Sequence, residues 1–327
     1  MAGSRQLHLR RDPFQRPTLT PGPLGHNDAS SPNTPKGLIG DTPGPLGVND
    51  GAALLANHRF QKRLPRATTA VRWIALADVQ ALALDVTTYF EGGEAKYGTL
   101  AGDDDDQATS FGLLQWNFGQ NTLGPLLKKM LKADPLLFET CFPKGTNYEK
   151  LKASLMAGDA SEQRKWAREL LRTNRSGWQT SFKNIARVAQ FNEIQKQEAI
   201  ANYHHLVMKA ITCLRTIRPS DFQRIEINTY VALFDLCVQQ HGIEQSKARI
   251  VNEIGVRKPA SQQEIMRIVI TERGLLAKQE YRADCISRRM GILTGEEFTA
   301  TQQGHRVRRK NPKLALLATY RGAYVRL

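Results

Sequence analysis

The 327-residue chain contains no run approaching the roughly 18–20 apolar residues of a membrane-spanning helix. Its first thirty residues hold no apolar core for a signal peptide, so neither a span nor classical export is expected. Cysteine is scarce: Cys141, Cys213, Cys237 and Cys285 form no CxxC or metal-knuckle spacing, which predicts reduced, buried thiols in a protein made in the cytoplasm. No G-x-S-x-G, H-E-x-x-H or P-loop is present. The adjacent His204 and His205 fall on a predicted helix and point apart, so they cannot form a metal pair by themselves. No cofactor and no metal is expected. Acidic residues are outnumbered, with 31 Asp plus Glu against 46 Lys plus Arg and a net charge of +15. That balance suits a polyanionic partner and disfavours a polycationic one.

What is present divides into three parts. Residues 1–51 hold 8 of the 15 prolines and 8 of the 25 glycines, too many for a helix or a packed core. Within them Thr20–Asp28 (TPGPLGHND) recurs as Thr42–Asp50 (TPGPLGVND). From about residue 66 the pattern turns helical. Thr68 or Thr69 is a candidate cap for a helix through Val71, Ile74, Leu82, Val86 and Phe90, stopping at Gly92-Gly93. A short stretch of strand and turn character follows, from Tyr97 to about Trp116, and then helices over 122–133, 161–172, 178–215, 219–240, 244–254 and 261–290. Ser261-Gln-Gln-Glu264 has the form of a capping box. Residues 298–327 contain no Asp or Glu, and 301–327 carry seven Lys or Arg. The expected organisation is therefore a Pro/Gly-rich extension (1–65), a mainly α domain with a small β excursion (66–300) and a basic tail (301–327).

The chemistry concentrates between residues 89 and 119. Glu91 sits on the last turn of an apolar helix, where partial negative charge and the rings of Tyr89 and Phe90 both disfavour the carboxylate. A raised pKa, as a general acid needs, is the expectation. Glu94 is the alternative if the helix ends later. Four consecutive aspartates, Asp103 to Asp106, follow, and one of them is a candidate base to activate water. Glycoside hydrolysis needs such a pair of carboxyl groups, one protonated and one ionised. Trp116 and Asn117 offer a stacking face and a hydrogen bond for a sugar ring. Asp235 and Gln239, one turn apart on one helix face, are either substrate contacts or a buried network.

Glu91 ending a helix, a short β region and Ser110-Phe-Gly-Leu-Leu-Gln115 together resemble the lysozyme-like superfamily, as in goose-type lysozymes and lytic transglycosylases. The segment is also similar to family 46 chitosanases. The stretch Ala232–Gly242 (ALFDLCVQQHG) resembles a helix bordering the cleft in that branch, and Arg282–Gly295 resembles its closing helix. The resemblance spans about 75–295. It implies a lysozyme-like α+β fold, with a β-hairpin region beside the catalytic helix and two helical lobes around a cleft. It assigns Glu91 as acid, Asp105 as base by its place five residues before Ser110, and Ser110 as water-positioning. Gln115, Trp116, Asn117, Asp235 and Gln239 then border the cleft. The spacing from Glu91 to Asp105 is shorter than in the chitosanases, and Ser110 replaces their Thr.

The function implied is cleavage of peptidoglycan glycan strands, by hydrolysis or by transglycosylation. The alternatives are a chitosanase of the same fold, which the +15 charge disfavours, and a nucleic-acid-binding protein using the basic tail, for which no reading motif is present and no specific nucleic acid is expected. The TPGPLGxND elements resemble segments at the N-termini of secreted wall-active and type VI secretion effector proteins. An effector or a phage endolysin would reach the periplasm or cell wall without a signal peptide. An effector also implies an immunity protein and a secretion apparatus as partners.

Overall fold

The structure, a computed structural model, describes residues 71–103, 106–144 and 147–327. The expected extension 1–65, with its repeat, lies outside the described residues. Among the described residues the fold is mainly α, with three small sheets. Strand β1 (Arg72–Ala75) leads into helix α1 (Leu76–Gly92). The strands β2 (Leu100–Ala101), β3 (Ser110–Phe111) and β4 (Trp116–Asn117) form an antiparallel meander directly after it.

Six helices follow: α2 (Leu123–Ala133), α3 (Pro135–Thr140), α4 (Tyr148–Ala157), α5 (Ala160–Thr173), α6 (Arg175–Arg187) and α7 (Ala189–Ile217). A second group begins with β5 (Ile225–Glu226) and α8 (Ile227–Gln240), then α9 (Lys247–Arg257), α10 (Gln262–Gly274) and α11 (Arg282–Thr294). The chain closes with the hairpin β6 (Thr299–Gln302) and β7 (His305–Arg308), helix α12 (Leu314–Ala318) and β8 (Ala323–Arg326). Helices α1 and α7 pack against α8 and so join the two groups.

Helix α8 organises the core. Its sequence INTYVALFDLCVQQ is apolar on every side between Tyr230 and Val238 apart from Asp235, and a helix of that pattern belongs in the interior. It is buried from Ile227 to Val238, with α1, α7 and α11 against it. Elsewhere local chemistry sets the boundaries. Asp134, Asp159 and Asn174 accept backbone N–H groups at the starts of α3, α5 and α6. At α10 half of the expected capping box forms: Ser261 Oγ accepts from the Glu264 N–H at 3.2 Å, while the Glu264 carboxylate accepts the N–H of Ala260, one residue before the cap, at 2.6 Å. All four cysteines are free and buried, and burial pushes the thiols of Cys141 and Cys237 up to about 11 and about 12. No helix is long and apolar enough to cross a membrane among the described residues.

Several boundaries differ from those expected. The helix expected to include Val71 and Ile74 begins only at Leu76; residues 72–75 are a strand because β8, some 250 residues away, pairs with them in parallel. The expected helix 178–215 breaks at Val188, which is extended at φ −84° and ψ 111°. The expected helix 261–290 breaks after Gly274, where a Cβ would meet Ile286 Cγ1 at 2.5 Å, so α10 and α11 fold back in close contact there. Helices α3 and α4 were not expected. The largest correction concerns residues 301–327, which are no tail. Strand β8 is the central strand of the sheet β1–β8–β5, and Leu314, Leu317, Ala323 and Val325 are buried in the core.

Candidate active site around Glu91

Glu91 lies in the last turn of α1, as expected, and its side chain is 10% exposed. Its surroundings are not simply apolar. Arg288 Nη1, from α11, stands 2.8 Å from Glu91 Oε1, and the same guanidinium lies 4.7 Å above the Phe90 ring. Arg288 also donates to Asp235 Oδ1 on α8, through Nε at 2.8 Å and Nη2 at 2.6 Å. One buried cation thus bridges two carboxylates on two different helices. Burial alone would lower the Arg288 pKa, but Asp235 and Glu91 more than offset it and raise it.

Arg289, fully buried beside it, faces Asp235 Oδ2 at 3.3 Å and donates through Nη2 to Gln239 Oε1 at 2.7 Å. That bond fixes the amide of Gln239. With its oxygen occupied by a donor, its Nε2 is turned toward Glu91 and donates to Oε1 at 3.4 Å. Both contacts to Glu91 therefore fall on Oε1, and no described side chain hydrogen-bonds Oε2. Arg273 completes the layer by donating to the carbonyls of Gln240 and Gly242 at the end of α8. Its burial, together with the charge of Arg289, lowers its pKa to about 10.

The end of α1 is held from its other side by the segment that follows β7. Arg309 Nη2 donates to Phe90 O at 3.2 Å, and the buried Asn311 donates to Val86 O at 3.0 Å. Lys313 pairs with Asp85 at 3.0 Å, and Lys96 pairs with the same carboxylate. Residues expected to form a tail therefore clamp the last two turns of the helix that bears Glu91.

Downstream of Glu91 in the chain, the meander is tied down by amides and rings. Gly112 takes φ 84°, and a Cβ there would strike Gln195 Oε1 at 2.3 Å. That oxygen accepts from the Leu113 N–H at 3.0 Å. Trp178 Nε1 donates to Thr109 Oγ1 at 3.0 Å, and Phe182 meets Phe111 with ring centroids 4.9 Å apart. Gln115, at φ 53°, donates to the carbonyls of Thr99 and Gly112. Asn117 Oδ1 accepts from the Gln120 N–H at 2.7 Å. Gln115 and Asn117 thus close turns of the meander. Trp116 is 4% exposed and packed in the core, so it presents no stacking face. Ser110 is buried on β3 and makes no hydrogen bond to Glu91.

Of the expected site residues, the structure brings Glu91, Asp235 and Gln239 together. Asp235 is 0% exposed and belongs to the network beneath the site, not to a cleft surface. Asp103 and Asp106 are both engaged by Arg168, and Asp103 Oδ1 also accepts the Ala108 N–H at 2.6 Å. Asp105 lies outside the described residues. Among the described residues no group of His, Cys, Asp and Glu is arranged to hold a metal ion. The sequence reading missed Arg288 and Arg289. Two adjacent arginines inside the apolar stretch CISRRMGIL were the signal, because buried charges are kept only with partners.

No protein-family model matches the sequence, and no curated protein matches it. Among solved structures the chain is similar to a mutant chitosanase from Bacillus subtilis MY002 complexed with 6 GlcN (TM-score 0.46, 14% identity, 72% of this chain and 100% of that one). It is also similar to the native chitosanase from the same source (TM-score 0.43, 14% identity, 72% and 100%). A third similarity is to a GH46 chitosanase from Gynuella sunshinyii in complex with chitotetraose (TM-score 0.44, 13% identity, 71% and 98%).

Proposed function

We propose that the chain is a lysozyme-like glycoside hydrolase that cuts the glycan strands of bacterial peptidoglycan, with Glu91 as the general acid. The observation that carries this reading is the asymmetric hold on Glu91: Oε1 is fixed by Arg288 and Gln239, while no hydrogen bond reaches Oε2 among the described residues. A proton on Oε2 passes to the glycosidic oxygen as the bond to the anomeric carbon breaks. The carboxylate that results is stabilised by Arg288 at the moment it forms, and that preorganised cation needs no rearrangement because Asp235 and Arg289 hold it in place.

The second carboxyl group comes from the aspartate run. Arg168 engages Asp103 and Asp106, which leaves Asp104 and Asp105, and its place five residues before Ser110 favours Asp105 as the base that activates water, with Ser110 as its orienting hydroxyl. The substrate choice rests on charge. The whole chain carries +15, which opposes a polycation such as chitosan and favours an anionic wall. The repeat in residues 20–50 supports delivery as an effector, with an immunity protein in the producing cell.

Product mass and turbidity with purified peptidoglycan, comparing wild type with Glu91→Gln, test the reading. Muropeptides with a reducing end from wild type alone are expected. Anhydro products would replace hydrolysis by transglycosylation, and equal digestion by both proteins would overturn the role of Glu91. Cleavage of chitosan but not of peptidoglycan would overturn the substrate.

A further inference from the structure

The surface of the sheet β1–β8–β5 carries a second feature, remote from the chemistry of Glu91. Trp73 on β1 is 40% exposed, an unusual state for so large an apolar ring. It is the register neighbour of Tyr324 on β8, and the two rings lie 5.7 Å apart at 46°. The guanidinium of Arg224 stands 6.0 Å over the same tyrosine, and that of Arg72 stands 5.0 Å over Tyr320.

Beside Trp73 opens a cleft of about 430 Å³ lined by Arg215, Arg224 and Arg326, with Gln223, Ile225 and Val325 among its walls. Leu327 also stands in its wall, and among the described residues no Asp or Glu side chain lines it. Arg215 donates its Nε to Phe222 O, Arg224 has only the ring of Tyr324, and no carboxylate is ion-paired with any of the three among the described residues. The neighbouring cleft across β8 is different: it mixes Glu226 and Glu296 with Arg267 and Arg321, so its charges are balanced. Three arginines gathered around an exposed indole, none of them ion-paired with a carboxylate among the described residues, repel one another, and the arrangement becomes more favourable when an anion enters.

We propose that this cleft is an accessory binding site for an anionic glycan. A sugar ring lies on the face of Trp73, and its carboxylate or phosphate groups pair with Arg224 and Arg326. A glycan fits better than a nucleic acid because the cleft offers one exposed indole, whereas a single-strand groove needs successive stacking platforms along the backbone. The site would hold the enzyme on its insoluble substrate while Glu91 works elsewhere on the molecule. The choice of polymer rests on the wall-glycan reading above; the cleft itself does not involve Glu91.

The test is a pull-down of full-length protein carrying Glu91→Gln, so that binding is read without cleavage. The probes are intact sacculi, sacculi stripped of phosphate polymers with hydrofluoric acid, and a single-stranded DNA oligonucleotide. Trp73→Ala and the pair Arg224→Gln/Arg326→Gln should each weaken binding to sacculi by about tenfold, and the arginine pair should flatten its salt dependence. Because both arginines are exposed, that pair keeps the test valid if Trp73→Ala fails to fold. Binding that survives stripping assigns the glycan's own carboxylates as the anion; binding lost on stripping assigns the phosphate polymer. Unchanged affinity in the arginine pair, or tighter binding to DNA than to either sacculus, would overturn the proposal. Binding through the cleft by a protein whose wild type does not digest the wall would sink the hydrolase reading alone.

Discussion

The two sides of Glu91 are built on different principles. Behind it, α1, α8 and α11 meet through charge: Asp235, Arg288 and Arg289 are each no more than 1% exposed and exist as one network. In the meander β2–β3–β4 that follows α1, charge among the described residues is confined to Arg168 on Asp103 and Asp106 in the β2–β3 connection, and the strands are held by backbone bonds, by the amides of Gln115, Asn117 and Gln195 and by rings packed from α6. A charged network in low dielectric is strong when complete and costly when any member is lost, whereas a set of turns loses its members one at a time. The difference suits the work. On the proposed mechanism, a rigid electrostatic backing fixes the acid, and a lighter frame carries the loop proposed to hold the base.

That contrast can be broken deliberately. The largest effect is expected from Asp235→Ala, which leaves two buried guanidiniums without their counter-charge and should cost about 3–5 kcal/mol in denaturant unfolding. Adding Arg288→Met to it should recover part of the loss, and a strictly additive double variant would refute the network. Gln195→Leu should cost less, about 1–3 kcal/mol, because it leaves the buried Leu113 N–H without an acceptor in the meander. A cost equal to that of Asp235→Ala would erase the distinction between the two sides.

The smallest effect is expected at Asp85. Burial raises its pKa, but hydrogen bonds and charge from Lys96 and Lys313 outweigh this and hold it below the ordinary 3.8. A depressed folded-state pKa gives stability that is present above the unfolded value and lost as pH falls through the folded one. Asp85→Asn should therefore lower stability at neutral pH by less than about 1 kcal/mol, given its partial exposure. The gap to wild type should close as pH drops below 3.8. A gap that widened in acid would contradict the pairing.

Much of the backing was legible in the sequence, and less of the frame. A Glu before Gly92-Gly93 and an apolar helix carrying a single acid are local patterns, so Glu91 and the Asp235–Gln239 face could be named from them. Arg288 and Arg289 acquire meaning only when α11 is laid against α8, a contact between residues about fifty apart. Gln115, Trp116 and Asn117 look like sugar-binding residues in one dimension; positive φ at Gln115, the core around Trp116 and the turn closed by Asn117 assign them to the fold. The C-terminal residues misled for a related reason. Seven cations without an acid read as a solvated tail, yet the alternating Ala323–Arg326 buries one face between β1 and β5, a pairing that no local pattern announces.

The central claim is that Glu91 does chemistry while its neighbours in the meander hold shape. Peptidoglycan digestion rate and melting temperature, measured side by side for Glu91→Gln and Gln115→Ala, test it most directly. Glu91→Gln should lose about 10²-fold or more in rate with its melting temperature nearly unchanged, and Gln115→Ala should melt earlier yet keep most of its activity while folded. Full activity in Glu91→Gln, or a well-folded Gln115→Ala as inactive as the Glu91 variant, would contradict the account.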